Sequence, residues 1–223
     1  MGVPMTLLVS TLGFHAEKLL GAIPQSGASE VWFYVAPGTT PAKQAKVDRA
    51  VRTVERALRH LGLPFQRRTL RNPFDYLGTL RRFLDDLREA KEPALVNLTG
   101  GPKTMTVAAT MACLLLGVPV VYVPEEEENP TPVSLPIVRM RYTHLLRPQM
   151  RRVLETLSTR GPMSAADLAR YLEIRHSTLD YHLTRLERLG ALERVPQGHR
   201  RHVAVSDIGR VLLLGLEAGN DGP

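Results

Sequence analysis

The run Val96-Asn97-Leu98-Thr99-Gly100-Gly101-Pro102-Lys103-Thr104-Met105 sets two glycines and a lysine where an apolar stretch gives way to a helical pattern. A strand-to-helix junction exposes backbone amides at a helix N-terminus. The glycines permit close approach, the helix dipole favours an anion, and Lys103 adds charge, so phosphate is the natural guest. It is not a Walker A loop, because Pro102 separates the glycine from Lys103 and the upstream glycine is missing; a dinucleotide fingerprint is also absent. A second loop, Ser10-Thr11-Leu12-Gly13-Phe14-His15, leaves the first apolar run at the carboxyl edge that a parallel sheet uses for ligands. The candidate ligand-binding residues are therefore Ser10, Thr11, Leu12, Gly13, Phe14 and His15 with Thr99, Gly100, Gly101, Pro102, Lys103 and Thr104. Phe14 either stacks on a base or fills the core, and His15 either donates to phosphate or is a surface residue. Each loop alone is equally a tight turn that the fold requires.

A second constellation lies near the end of the chain. Ser164-Ala165-Ala166-Asp167 and Ser177-Thr178-Leu179-Asp180 both fit N-terminal capping, so two helices are expected to start thirteen residues apart, with small Ala169 and Ile174 at their crossing. Leu179, Leu183, Leu186 and Leu189 form an inward stripe on the second helix. Ser177, Thr178, Tyr181, Thr184, Arg185 and Arg188 are left for a major groove, Tyr181 with packing as its alternative and Arg185 as the leading base contact. After Gly190, Leu192 to Val195 and His202 to Val205 read as a hairpin whose tip carries His199, Arg200 and Arg201, suited to phosphate or the minor groove. The pattern is a winged helix-turn-helix for double-stranded DNA. Its alternative is a helical partner domain with a solvated arginine face.

Charge agrees with a nucleic-acid partner. The 223 residues hold 29 Lys and Arg against 22 Asp and Glu, and all 12 basic residues after Leu146 are Arg. Arg offers bidentate base and phosphate recognition that Lys lacks. Cys113 is the only cysteine, which excludes an internal disulfide and a thiolate metal cluster, and it falls in an apolar helix as a core residue. His199-x-x-His202 belongs to the wing, no His-Glu-x-x-His is present, and no metal site is expected. No signal peptide is read at the start, and a cytoplasmic protein without a membrane span is expected; Val107 to Val123 is broken by Gly117 and Pro119 into a buried helix and strand.

The elements that must position these residues alternate. Strands are expected at Thr6 to Ser10, Val31 to Ala36, Pro64 to Leu70, Ala94 to Leu98, Val118 to Val123 and, as an edge, Val133 to Met140. Between them, helices are read at Ala16 to Leu20, after Pro41, from Pro73 and at Thr104 to Leu116. The helix from Pro73 is expected to put Phe74, Leu77, Leu80, Leu84 and Leu87 on one face. The fold class is α/β, a Rossmann-like parallel sheet sandwich over residues 1–146, followed by a winged helix-turn-helix over 147–223 with a C-terminal helix. That last helix, Ile208 to Ala218, joins a dimer interface or packs back on the winged helix. Glu125 to Glu128 with Asn129 to Pro132 reads as an exposed acidic loop.

The stretch Asn97 to Met105 resembles the Asn-x-Thr-Gly-Gly-x-Lys-x-Met signature of CRISPR-associated Rossmann-fold (CARF) domains. Fusion to a winged helix is similar to archaeal-type CRISPR transcription regulators. The resemblance implies a homodimer that binds cyclic oligoadenylate, usually cyclic tetra-adenylate, across its two-fold axis as a regulatory ligand rather than a cofactor. It implies a ligand-responsive transcription regulator in antiviral defence, not an enzyme. Two alternatives stay open: a ring nuclease that cleaves the ligand using Lys103, Thr11 and His15, and a winged-helix regulator answering to a metabolite.

Overall fold

Short apolar runs separated by amphipathic helices give strands buried on both faces, and the computed structural model shows this at the centre of the sheet, while the edge segments Phe65–Thr69 and Val133–Leu135 stay partly or wholly exposed. It describes residues 6–72, 74–90, 93–124, 131–140, 145–197 and 200–219. The chain forms two compact units, Met1–Met140 and Arg141–Pro223.

In the first unit β1 (Thr6–Leu12), β2 (Ala28–Val35), β3 (Phe65–Thr69), β4 (Ala94–Asn97), β5 (Val120–Tyr122) and β6 (Val133–Leu135) make one sheet in the order β3-β2-β1-β4-β5-β6. The first five strands run parallel, and β6 closes the edge antiparallel to β5. The edge strand is shorter than expected from Val133 to Met140. Beyond Leu135 the chain leaves the ladder, and the Met140 amide instead donates to the Leu114 carbonyl at 2.8 Å.

Helices α1 (Glu17–Leu20), α2 (Ile23–Ser26) and α3 (Pro41–His60) cover one face, where Leu8, Leu12, Phe33, Val47, Val54 and Leu58 share a core. Across the sheet, α4 (Tyr76–Glu89) packs along α5 (Lys103–Leu116). The face under α4 holds one buried ion cluster. Asp86 accepts from the Tyr34 hydroxyl, from Arg68 and, at 2.8 Å, from Arg82 Nε, while Arg68 lies over the Trp32 ring at 4.0 Å. Burial, then the bond to Asp86, raises the Tyr34 pKa. Cys113 is fully buried in α5, and burial pushes its thiol up to about 12. No helix among the described residues is long and apolar enough to cross a membrane.

The helix expected from Pro73 begins later. The Asp75 carboxylate accepts from the Gly78 amide at 2.9 Å and makes Asp75 the N-cap, so Phe74 precedes the helix and is 65% exposed instead of joining its buried stripe. Pro73 itself lies outside the described residues, as do Glu125 to Glu128, Asn129 and Pro130 of the acidic loop.

The second unit runs α6 (Pro148–Arg160), α7 (Ala165–Leu172), α8 (His176–Arg188), a hairpin of β7 (Leu192–Gln197) and β8 (Arg200–Val205), and α9 (Asp207–Gly219). Met163, between α6 and α7, bridges Val203 through paired backbone bonds of 3.1 and 2.8 Å, adding a third short segment to the hairpin. Helix α9 packs against α6 and β8, with Leu212, Leu214, Leu216 and Ala218 buried. Of the two roles expected for that helix, packing back on the winged helix is the one present within the chain.

Candidate ligand cavity and nucleic-acid interface

In the sheet order, β2 and β3 extend to one side of β1 and β4 to β6 to the other, so the connections diverge between β1 and β4. Loops leaving two such neighbours open a crevice at their carboxyl ends. The two loops singled out from the sequence meet there. A Cβ on Gly13 would lie 2.7 Å from the Gly101 amide nitrogen, and one on Gly100 would overlap the Thr11 carbonyl oxygen. Gly101 adopts φ 86°, a conformation that favours glycine. Glycine is thus required because the loops touch each other.

Asn97 holds this junction together. Fully buried, its amide donates to Ser10 Oγ at 3.2 Å and to the Lys18 carbonyl at 3.0 Å, and its side-chain oxygen accepts from the Thr99 hydroxyl at 2.6 Å and the Thr99 amide at 3.1 Å. Thr99 Oγ1 in turn accepts from the Val123 amide at 2.7 Å. The pair therefore ties β1, α1, β4 and the end of β5 into one rigid rim.

A cavity of about 340 Å³ opens beside the rim. Leu12, Gly13, Phe14, His15, Thr99, Gly100, Gly101 and Pro102 line it, and these are eight of the twelve residues singled out from the sequence. The other four lie elsewhere. Ser10 and Thr11 are buried with their hydroxyls turned to Thr11 and Asn97 carbonyls, and Lys103 and Thr104 open α5 outside the lining. Sequence reading missed the opposite wall, made by Lys18, the β2–α3 loop from Ala36 to Thr39, Lys43, Val47 and Phe74. The cavity is thus mostly apolar, with exposed aromatic edges from Phe14 and Phe74 and cations from Lys18 and Lys43. Lys46 lies 5.8 Å from the Phe14 ring centre, and His15 faces Glu17 at 2.9 Å. Such a lining suits a planar base joined to an anionic group.

In the second unit, Ser164 caps α7 as expected, accepting from the Asp167 amide at 3.1 Å and donating to its carboxylate at 2.6 Å. The expected cap at Ser177 is not formed. Arg175, in extended conformation and without a side-chain cap bond, precedes α8, because Glu173 at φ 55° already turns the chain after α7. The helix therefore begins two residues early, at His176 rather than Thr178, with Ser177 exposed in its first turn.

Ser177, Tyr181, Thr184 and Arg188 then fall on one exposed line of α8, with Thr178 and Arg185 on its flank. Arg185 donates to the Tyr181 hydroxyl at 2.7 Å, which lowers the Tyr181 pKa. Arg188 has no carboxylate partner among the described residues; Glu187 pairs instead with Arg194 at 2.8 Å. Leu189, expected in the inward stripe, is 40% exposed at the helix end, and His182 takes an inward place. His182 Nδ1 has no hydrogen-bond partner among the described residues, and burial, followed by Arg147 and Arg185, lowers its pKa. Strand β7 ends at Gln197 and β8 begins at Arg200; His199 and the side chains of Arg200 and Arg201 lie outside the described residues. Among the described residues no group of His, Cys, Asp and Glu is placed to hold a metal ion.

Comparison with known proteins matches residues 6–135 to the Csa3 CRISPR-associated Rossmann-like domain and residues 145–195 to a helix-turn-helix domain. No curated protein matches the chain. Among solved structures, a probable transcriptional regulator from Pseudomonas aeruginosa is 28% identical over 36% of this chain and 63% of its own, with a TM-score of 0.33. RV1404 from Mycobacterium tuberculosis is 26% identical over 34% of this chain and 55% of its own, also at 0.33. Can2 from Sulfobacillus thermosulfidooxidans, solved with cyclic tetra-adenylate, is 15% identical over 96% of this chain and 64% of its own, at 0.46. The chain spans less than two thirds of the length of each of these three structures.

Proposed function

The chain belongs to the family of the Csa3 CRISPR-associated Rossmann-like domain and carries a helix-turn-helix domain behind it, and from that premise we propose that it is a ligand-responsive DNA-binding regulator of a CRISPR system. Its ligand is a cyclic oligoadenylate, cyclic tetra-adenylate by preference, and its working form is a homodimer in the cytoplasm. The cavity between the β1 and β4 loops carries this reading, because it sets bare backbone, two aromatic edges and two lysines around one space. Gly100 and Gly101 let a phosphate approach the main chain, Lys18 and Lys43 offset its charge, and Phe14 with Phe74 clasps an adenine. Lys103 adds positive potential from the start of α5. A two-fold ligand suits an isologous dimer in which each subunit offers the same half-site.

The DNA-binding half rests on α8 and the hairpin. Tyr181, Thr184, Arg185 and Arg188, with Ser177 and Thr178, face the major groove, and Arg200 and Arg201 with His199 supply the wing contacts. Arg185 works with Tyr181 as one hydrogen-bonded unit that reads a base edge. Ligand and DNA are linked when the ligand favours one separation of the two recognition helices.

The decisive experiment titrates the full chain onto its own upstream DNA with and without cyclic tetra-adenylate. A ligand-dependent change in affinity supports the regulator; no change overturns the sensor half and leaves the DNA-binding half. Linear products after incubation would replace the regulator with a ring nuclease.

A further inference from the structure

The outward face of α3 carries one sign of charge. Its twenty residues include six Lys and Arg against only Asp48 and Glu55. Arg49, Arg52, Arg56 and Arg59 recur at intervals of three, four and three, which keeps them on one side of a helix, opposite buried Val47, Val51, Val54 and Leu58. All four arginines are exposed. Both acids sit on the flank instead. Asp48 accepts from the Gln44 amide at 2.8 Å, and Glu55 is shared by Arg59 at 3.2 Å and Arg67 of β3 at 3.3 Å. Among the described residues no carboxylate pairs with Arg49, Arg52 or Arg56.

A solvated helix face ordinarily mixes both signs, because i,i+4 pairs stabilise it and like charges at that spacing repel. Here the acids are withdrawn to the flank and the guanidinium groups are left unneutralised, an arrangement that costs stability unless an anion covers it. From Arg49 to Arg56 the helix rises about 10 Å at roughly 1.5 Å per residue. Along one strand of a duplex, phosphates recur about every 3.4 Å of axis, so the stripe is long enough to meet several backbone phosphates. Arginine forks can hold two such oxygens at once, and lysine at the same positions would supply the same charge.

We infer that the α3 stripe of Arg49, Arg52 and Arg56 is a second, sequence-independent contact surface for the phosphate backbone of double-stranded DNA. The choice of duplex DNA over RNA rests on the helix-turn-helix domain in the same chain and on its proposed DNA-binding role. The stripe itself stands on charge and spacing alone. It adds affinity and salt dependence without adding sequence preference.

The test uses the full chain carrying Arg49→Gln, Arg52→Gln and Arg56→Gln together, which keeps helix propensity at exposed positions. Salt-dependent binding is measured on the upstream DNA and on a scrambled duplex of equal length. Support is a slope of log affinity against log salt that is shallower by about 2–3 for each subunit bound, on both duplexes, recovered by the triple Lys variant, with their affinity ratio unchanged. A second background, Arg185→Ala with Arg188→Ala, removes the α8 contribution; residual binding to the scrambled duplex must persist there and vanish when the stripe is also neutralised. That arm separates failure of the stripe from failure of the α8 reading. An unchanged slope in both backgrounds overturns the inference. So does loss of affinity for single-stranded RNA or for an acidic polypeptide with duplex binding intact, which would assign the stripe to that partner.

Discussion

His182 shows how one buried side chain sets a pH response. Its imidazole sits inward on α8 with Nδ1 unpartnered, and burial, then Arg147 and Arg185, holds its pKa below the ordinary 6.5. A proton therefore binds the unfolded chain more tightly than the folded one. Stability from this group is fully present above the unfolded value and is lost as the pH falls from about 6.5 toward the lower folded value, levelling off beneath it. The His182→Leu variant should flatten that part of the stability profile, read as denaturation midpoints of the second unit across the range. An equal acid slope in both proteins would remove His182 as its source. Asn97 and Thr99 make a complementary point. The Asn-x-Thr of the glycine loop spends its hydrogen bonds on Ser10, the Lys18 carbonyl and the Val123 amide, so these two residues shape the cavity while Gly100, Gly101 and Lys43 face its contents.

At the scale of elements, α9 is the clearest test of what holds the second unit together. Leu212, Leu214 and Leu216 are each no more than 7% exposed. Burying a leucine contributes about 1.5–3 kcal/mol, so losing three removes roughly 5–9 kcal/mol, comparable to the whole stability of a small domain. A chain ending at Ser206 should lose one thermal transition by circular dichroism and lose DNA binding with it; an unaltered melt would show that α9 is dispensable. The apolar excess of this helix was legible in the sequence, although its partner was not. Strands and helices of the first unit were legible for a related reason: buried runs of Val and Leu broken by amphipathic stripes admit few other arrangements. Positions governed by a single cap were less so. Ser177 looked like a cap but Arg175 starts α8, and Asp75 ended the stripe that seemed to include Phe74. The far wall of the cavity, Lys43 and Phe74 included, was illegible because it comes from segments about thirty and sixty residues beyond the first loop, joined only by strand order.

For the whole molecule, regulation is a statement about free energies that can be checked from both ends. If cyclic tetra-adenylate changes the affinity for upstream DNA by some factor, that DNA must change the affinity for the ligand by the same factor, and coupling of this kind typically amounts to about 5–150-fold. The equality holds whichever direction the response takes, so it tests the linkage without assuming activation or repression. Lys43→Ala provides the control, since Lys43 lines the cavity in the first unit and the recognition helix belongs to the second. Ligand affinity should fall by about tenfold or more in that variant, as expected for loss of a charge-assisted contact of roughly 1.5–3 kcal/mol. DNA affinity without ligand should stay at the wild-type value. Measured by titration calorimetry for the ligand and fluorescence anisotropy for the DNA, two unequal factors would mean that one measurement follows a second binding event. Two factors of one would mean that the cavity and the recognition helix do not communicate.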